Sequence, residues 1–141
     1  MPSFQQALAE IVDRLQRANT VLDVGFRSGA KYPDGTPVAQ VAWDNEYGDP
    51  AEGRVPRPFF RRMIAANKTQ WAPQLAGLLV RGDSVNLAMH KMGGSIKEEL
   101  MMSINEFTDP ELKQSTIDKK GFDKPLIETR LMRDSIDYWI D

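Results

Sequence analysis

Apolar residues near the start of the chain recur at intervals of three and four. Phe4, Leu8, Ile11, Leu15 and Ala18 form one stripe separated by polar positions, which predicts a helix with a buried face. Ser3 with Gln6 three residues later is a capping-box pattern that starts this helix, and Asn19-Thr20 ends it. Burial of Phe4, Leu8, Ile11 and Leu15 is expected to stabilise the fold by roughly 1.5–3 kcal/mol each. From Val21 the period falls to two. Leu22, Val24 and Phe26 alternate with Asp23, Gly25 and Arg27, the pattern of a half-buried strand over 21–27. Residues 28–35 read as a loop, with Tyr32-Pro33-Asp34-Gly35 supplying turn chemistry.

Thr36-Pro37 is a helix-start signal, with Thr36 as N-cap and Pro37 at the first helical position. A helix through Val38, Val41, Ala42 and Asn45, stopped by Gly48, is favoured over a strand at 38–43. After a Pro/Gly-punctuated loop at 49–57, Pro58 opens a long helix to about Arg81, with Pro73 expected to kink it. Gly82-Asp83-Ser84 breaks the chain before a helix containing Val85, Ala88 and Met92. Gly93-Gly94 is expected to interrupt or bend that helix, and Ser95 with Glu98 to cap a restart through Ile96, Leu100 and Ile104. Asp109-Pro110 predicts a short helix ending near Lys120-Gly121, and Thr129 a cap for one turn over 130–134. Ile136, Tyr138 and Ile140 then alternate with Asp137, Trp139 and Asp141. They are read as a strand over 135–140 that pairs with 21–27, since a lone strand leaves its backbone unsatisfied. The expected fold class is α+β: a single domain over 1–141 with a small antiparallel sheet packed against several helices.

Composition narrows the chemistry. With 141 residues, 41% hydrophobic and 27% charged, the chain is long enough and apolar enough to build a core without covalent staples. Eighteen basic against 20 acidic residues leave a formal charge of −2, which argues against a dedicated nucleic-acid binder. There is no cysteine, so disulfides, thiolate nucleophiles and cysteine-rich metal sites are excluded. No apolar run approaches a membrane span, and the first residues lack a secretory pattern, so a cytoplasmic site of assembly is expected.

Each candidate for chemistry has a plainer reading. His90-Lys91-Met92-Gly93-Gly94-Ser95 holds the residue types of a phosphate cradle, but its lysine precedes the glycines and a helix precedes the lysine. His90 is the only histidine and has no partner for a metal site, and no cofactor or metal is expected. Arg81-Gly82-Asp83 reads as a helix terminus and turn. Glu98 with Glu99, or Asp134 with Asp137, have the residue types of a glycosidase pair, yet solvated faces explain them as well. Arg54, Arg57, Arg61 and Arg62 around Phe59 and Phe60 form the densest cationic-aromatic patch. It offers either phosphate contacts or, the reading favoured here, core phenylalanines with arginines bridging to acids on a neighbouring subunit. Met63, Met89, Met92, Met101 and Met102 are read as adaptable packing.

Two stretches carry a family resemblance. The first is Val38-Ala39-Gln40-Val41-Ala42-Trp43-Asp44-Asn45-Glu46-Tyr47-Gly48, followed by Val55-Pro56-Arg57-Pro58-Phe59-Phe60-Arg61. The second is Ser115-Thr116-Ile117, Lys120-Gly121, Lys124-Pro125-Leu126-Ile127-Glu128-Thr129, Leu131, Ser135-Ile136 and Tyr138. In this order they resemble the tail-completion family of tailed bacteriophages, proteins of the neck or tail terminus, over roughly Thr36 to Trp139. Arg130 stands where that family usually has glycine.

The resemblance implies a non-catalytic structural subunit of the virion, assembled in the host cytoplasm as a homo-oligomeric ring. Its partners would be the head connector or neck proteins and the tail tube, with DNA passing through the channel without sequence-specific binding. Asn45, Glu46, Tyr47, Gly48, Arg57, Pro58, Phe59, Pro125, Leu126 and Thr129 are the motif and interface residues that it singles out, and no membrane is involved. A ring needs heterologous contacts, for which the loops at 28–35, 49–57 and 118–128 are the expected elements. Two rivals stand beside this reading: a DNA-contacting accessory protein using the arginine patch, and a hydrolase acting on cell wall through His90, Glu98 and Glu99.

Overall fold

The capping box at Ser3 forms as the sequence predicts. The Gln6 N–H donates to Ser3 Oγ at 3.2 Å and the Ser3 N–H to Gln6 Oε1 at 2.8 Å, opening helix α1 (Phe4–Ala18). Asn19 closes it in the left-handed conformation at φ 44°. These details come from a computed structural model, which describes residues 3–53, 55–106 and 130–141. Arg54, the 109–121 helix, the 118–128 loop, the cap at Thr129, and Pro125 and Leu126 lie outside the described residues.

After α1 come strand β1 (Leu22–Phe26), helix α2 (Val38–Tyr47) and a single 3-10 turn at Pro50–Glu52. Two long helices, α3 (Phe59–Val80) and α4 (Val85–Glu106), follow, and the expected helical turn over 130–134 leads into strand β2 (Ile136–Ile140). The strands pair antiparallel, Leu22 opposite Ile140, Val24 opposite Tyr138 and Phe26 opposite Ile136. The period of two in both segments places these three pairs on one face, packed on the helices. Asp23 and Trp139, also opposite one another, lie on the outer face. The expected pairing of the two strands is therefore present, and the fold is mostly helical with a two-stranded antiparallel sheet.

The main core fills the space between the sheet, α2, α3 and α4. Val38, Leu100 and Ile136 are its most completely enclosed large side chains, with Phe59, Met63, Met92 and Ile104 around them. The Phe59 ring meets Phe26 edge-on at 6.4 Å, which joins α3 to the sheet. A smaller cluster of Ile11, Leu79 and Ala88, backed by Leu15, Leu75, Leu78 and Val85, lies at the C-terminal end of α3 and ties α1 to the α3–α4 pair. Arg14 Nη2 donates to the Asp83 carbonyl at 2.8 Å and anchors the same joint.

Several expectations are corrected. Gly93-Gly94 does not interrupt α4, and Ser95 starts nothing. The helix is continuous, and the cap is Ser84, whose Oγ accepts from the Leu87 N–H at 3.1 Å. Two interior glycines cost a helix about 1 kcal/mol each relative to alanine. The compensation at Gly93 is packing: a Cβ there would come within 2.6 Å of Tyr138 Cγ, so the sheet rests on helix backbone where a side chain would hold it off. The helix at 38–47 is present, but its N-cap is Pro37 rather than Thr36. A bridge between Lys31 and Pro37 holds the preceding turn, and the Thr36 N–H is taken by Asp34 Oδ1 at 2.9 Å. The long helix from Pro58 is present as expected, with Pro73 inside it and Trp71, Leu75 and Leu78 packed against the core on either side.

The stripe of α1 is only half used. Ile11 is buried and Leu15 partly so, but Leu8 is 45% exposed and Phe4 78% exposed, so the expected burial of all four fails at the N-terminal end. The helix docks through Ile11 and Leu15, while its first turns stay exposed. Among the methionines, Met63 and Met92 are core residues while Met102 is exposed.

Candidate functional site

Pro58 precedes α3 but has no side-chain oxygen to satisfy the first N–H groups of that helix, and none of its own residues caps it. The acceptor comes from another element. Glu46, near the end of α2 and only 5% exposed, takes the Phe60 N–H on Oε1 at 2.7 Å and the Arg61 N–H on Oε2 at 3.3 Å. Its negative charge also sits at the positive end of the helix dipole. Arg61 completes the clasp, donating from Nε to Glu46 Oε2 at 2.8 Å and from Nη2 to the Glu46 carbonyl at 3.0 Å. The Arg61 guanidinium lies 4.7 Å from the centre of the Tyr47 ring, within cation–π range.

The remaining motif residues serve the same clasp. Asn45 accepts the Arg57 N–H on its carbonyl at 2.6 Å. Gly48 ends α2 at φ 76°, a conformation that L side chains rarely adopt, with its N–H on the Asp44 carbonyl at 2.8 Å. Phe59 points into the core, and its carbonyl accepts from Ser103 Oγ on α4 at 2.6 Å. The structure thus brings Asn45, Glu46, Tyr47, Gly48, Arg57, Pro58 and Phe59 together at one junction. Within the chain, Arg61 pairs with Glu46.

Beside the clasp is an open, apolar hollow of about 340 Å³, walled by Phe26, Ala42, Trp43, Tyr47, Phe60 and Ile64. Trp43 and Tyr47, one helical turn apart, meet at 4.5 Å between centroids with their rings tilted by 46° and form its exposed lip. Trp43 is 62% exposed, far more than a tryptophan that serves only packing. In the sequence Trp43 stands within a motif that gives it no role of its own; its i, i+4 spacing to Tyr47 on a helix is the signal that could have found it. Nothing in the local sequence points to Ser103.

The other candidates lie outside this junction. His90 Nδ1 is 3.1 Å from Tyr138 Oη, with the rings edge-on. Glu99 accepts from Trp71 Nε1 at 3.0 Å, a tie between α4 and α3. Asp137 Oδ1 accepts the N–H of Tyr138, and the Asp134 carbonyl accepts from Arg27. Asp83 of the Arg-Gly-Asp tripeptide is held by Lys91 at 2.8 Å. Among the described residues, no group of three or more histidine and carboxylate side chains converges to hold a metal. No described helix is long and apolar enough to cross a membrane.

The arrangement can therefore present surface: a rigid junction of α2 and α3 that carries an aromatic lip over an apolar hollow. No family model, curated protein or solved structure matches the chain.

Proposed function

We propose that this protein is a structural subunit of a tailed bacteriophage, placed where the tail is completed and joined to the head connector. It acts as one member of a homo-oligomeric ring through which DNA passes. The observation that carries this reading is the use made of the two motifs at 45–48 and 57–61. Glu46, the one buried carboxylate in them, is engaged in capping α3 and pairing Arg61, a use that suits a scaffold. The exposed aromatic lip and hollow beside them are contact features. The order of motifs resembling tail-completion proteins supplies the setting.

The DNA-contacting rival is weakened by the same geometry, because Arg61 is committed to Glu46 and Phe59 to the core. The test is genetic and biochemical. A phage lacking this gene should accumulate DNA-filled heads and free tails, and the protein should be detected in wild-type particles at the neck by labelling and electron microscopy. Joined, infectious particles produced without it, or its absence from purified virions, would refute the proposal.

A further inference from the structure

The sheet has two strands among the described residues, so each strand turns one edge of backbone away from its partner. Val21 and Asp141 exchange both backbone bonds, at 3.1 and 3.0 Å, and the Arg27 N–H donates to the Ser135 carbonyl at 2.8 Å. Bonded and non-bonded positions alternate in an antiparallel pair. Leu22, Val24 and Phe26 therefore point their N–H and C=O groups outward from β1, and Ile136, Tyr138 and Ile140 do so from β2. The two edges are not alike. On β2 the central outward donor, the Tyr138 N–H, is already taken by Asp137 Oδ1 at 2.9 Å, a carboxylate that an incoming strand would have to displace. On β1 none of the described residues bonds to the outward groups of Leu22, Val24 or Phe26. The β1 edge also runs up to the hollow, because Phe26, at its end, is one of the hollow's walls.

We infer that β1 is an acceptor edge: an extended segment of another protein pairs with it as a third strand and sets one apolar side chain in the hollow beside Phe26. Backbone complementarity fixes the conformation of the occupant. The outward positions recur every second residue, roughly 6.8 Å apart. An extended chain matches that spacing, and a helix, whose backbone groups are bonded internally, does not. The side chains fix its pattern. Leu22, Val24 and Phe26 are partly buried against the helical core, so the residues paired with them face the same way, and a segment with apolar residues at alternate positions covers the remaining exposed flanks. A second copy of this chain meets these demands less well. Its β2 edge has the blocked donor, and its β1 keeps Leu22, Val24 and Phe26 packed on its own core, with none of the three left to enter the hollow. A segment that is not packed in a domain of its own supplies both the backbone and the anchor. The pairing is independent of the virion setting proposed above.

The probe is a set of synthetic hexapeptides in which threonine alternates with valine, leucine, isoleucine or phenylalanine, titrated into the full chain and followed by amide hydrogen exchange. Without peptide, the outward amides of Leu22, Val24 and Phe26 should exchange faster than the paired amides of Asp23 and Gly25. A binding peptide at about ten times its Kd should slow all three by about tenfold and leave Ile136 and Ile140 unchanged. Methylating the peptide nitrogens that face β1 removes donors without touching the protein's fold, and should weaken binding by about tenfold or more. Methylation in the other register should change it by less than about twofold. Ala39→Phe, at an exposed position on the hollow's wall, should keep a melting temperature near the wild type and shift the preference toward peptides with the smaller side chains. Failure of every peptide to protect the three amides at millimolar concentration would overturn the acceptor edge, as would protection of the β2 amides instead or indifference to backbone methylation. An unshifted peptide preference in Ala39→Phe would remove the hollow from the site. Slowing of the same amides by raised protein concentration alone would make a second copy the occupant and refute the proposal.

Discussion

Glu46 offers the sharpest quantitative test of the clasp. Its carboxylate accepts the first two free N–H groups of α3 from a distance of 14 and 15 residues and also faces the Arg61 guanidinium. Glu46→Ala removes a cap, and losing a cap costs about 0.5–2 kcal/mol. It also leaves the partly buried Phe60 N–H without an acceptor, which raises the cost toward the roughly 1–3 kcal/mol of an unsatisfied buried group. The ion pair adds less. The Arg61 side chain is 54% exposed, so water takes back most of its charge and that share stays below about 1 kcal/mol. Together the substitution should cost about 2–4 kcal/mol, a fall of roughly 6–12 °C in melting temperature for a chain of this size. Urea unfolding of the wild type, Glu46→Ala, Arg61→Ala and the double variant separates the two roles. A cap predicts that Arg61→Ala costs less than about 1 kcal/mol and that the coupling energy is equally small. If Arg61→Ala costs as much as Glu46→Ala, or if Glu46→Ala is within about 0.5 kcal/mol of wild type, the borrowed-cap argument is wrong.

Other outcomes follow from the same packing. Phe59→Ala should cost about 3–5 kcal/mol by thermal or chemical unfolding, because the side chain is enclosed between Phe26 and the helices; an unchanged melting temperature would mean that it is not a core residue. Gly93→Ala and Gly94→Ala should differ in sign. The first should lose about 1–3 kcal/mol by driving a methyl into the Tyr138 ring, and the second, with open space at its Cβ, should gain about 0.5–1 kcal/mol of helix propensity. Ser103→Ala, which removes the buried donor to the Phe59 carbonyl, should cost about 1–2 kcal/mol in the same unfolding measurement. Mobility-shift titration with duplex DNA should detect only weak binding at physiological salt. Tight, steeply salt-dependent binding lost on replacing Arg57, Arg61 and Arg62 with alanine would favour the DNA-contacting rival.

What the linear pattern decided is the local structure. The spacing of apolar residues and the cap at Ser3 suffice for α1, and alternation suffices for each of the two strands, because periodicity and capping depend on neighbours within a few residues. The tertiary structure decided the features whose partners are remote in sequence. Whether Gly93-Gly94 breaks a helix depended on Tyr138, 45 residues away, needing room against the backbone. Glu46 stands inside a recognisable motif, but its role as the cap of α3 appears only when α2 is laid across the start of that helix. The stripe of α1 was legible while its exposure was not, since amphipathicity shows that a helix has an apolar face and cannot show how far the surface it packs on extends. The unused end of that stripe, like the hollow at the other end of α3, exists only once the helices have been placed.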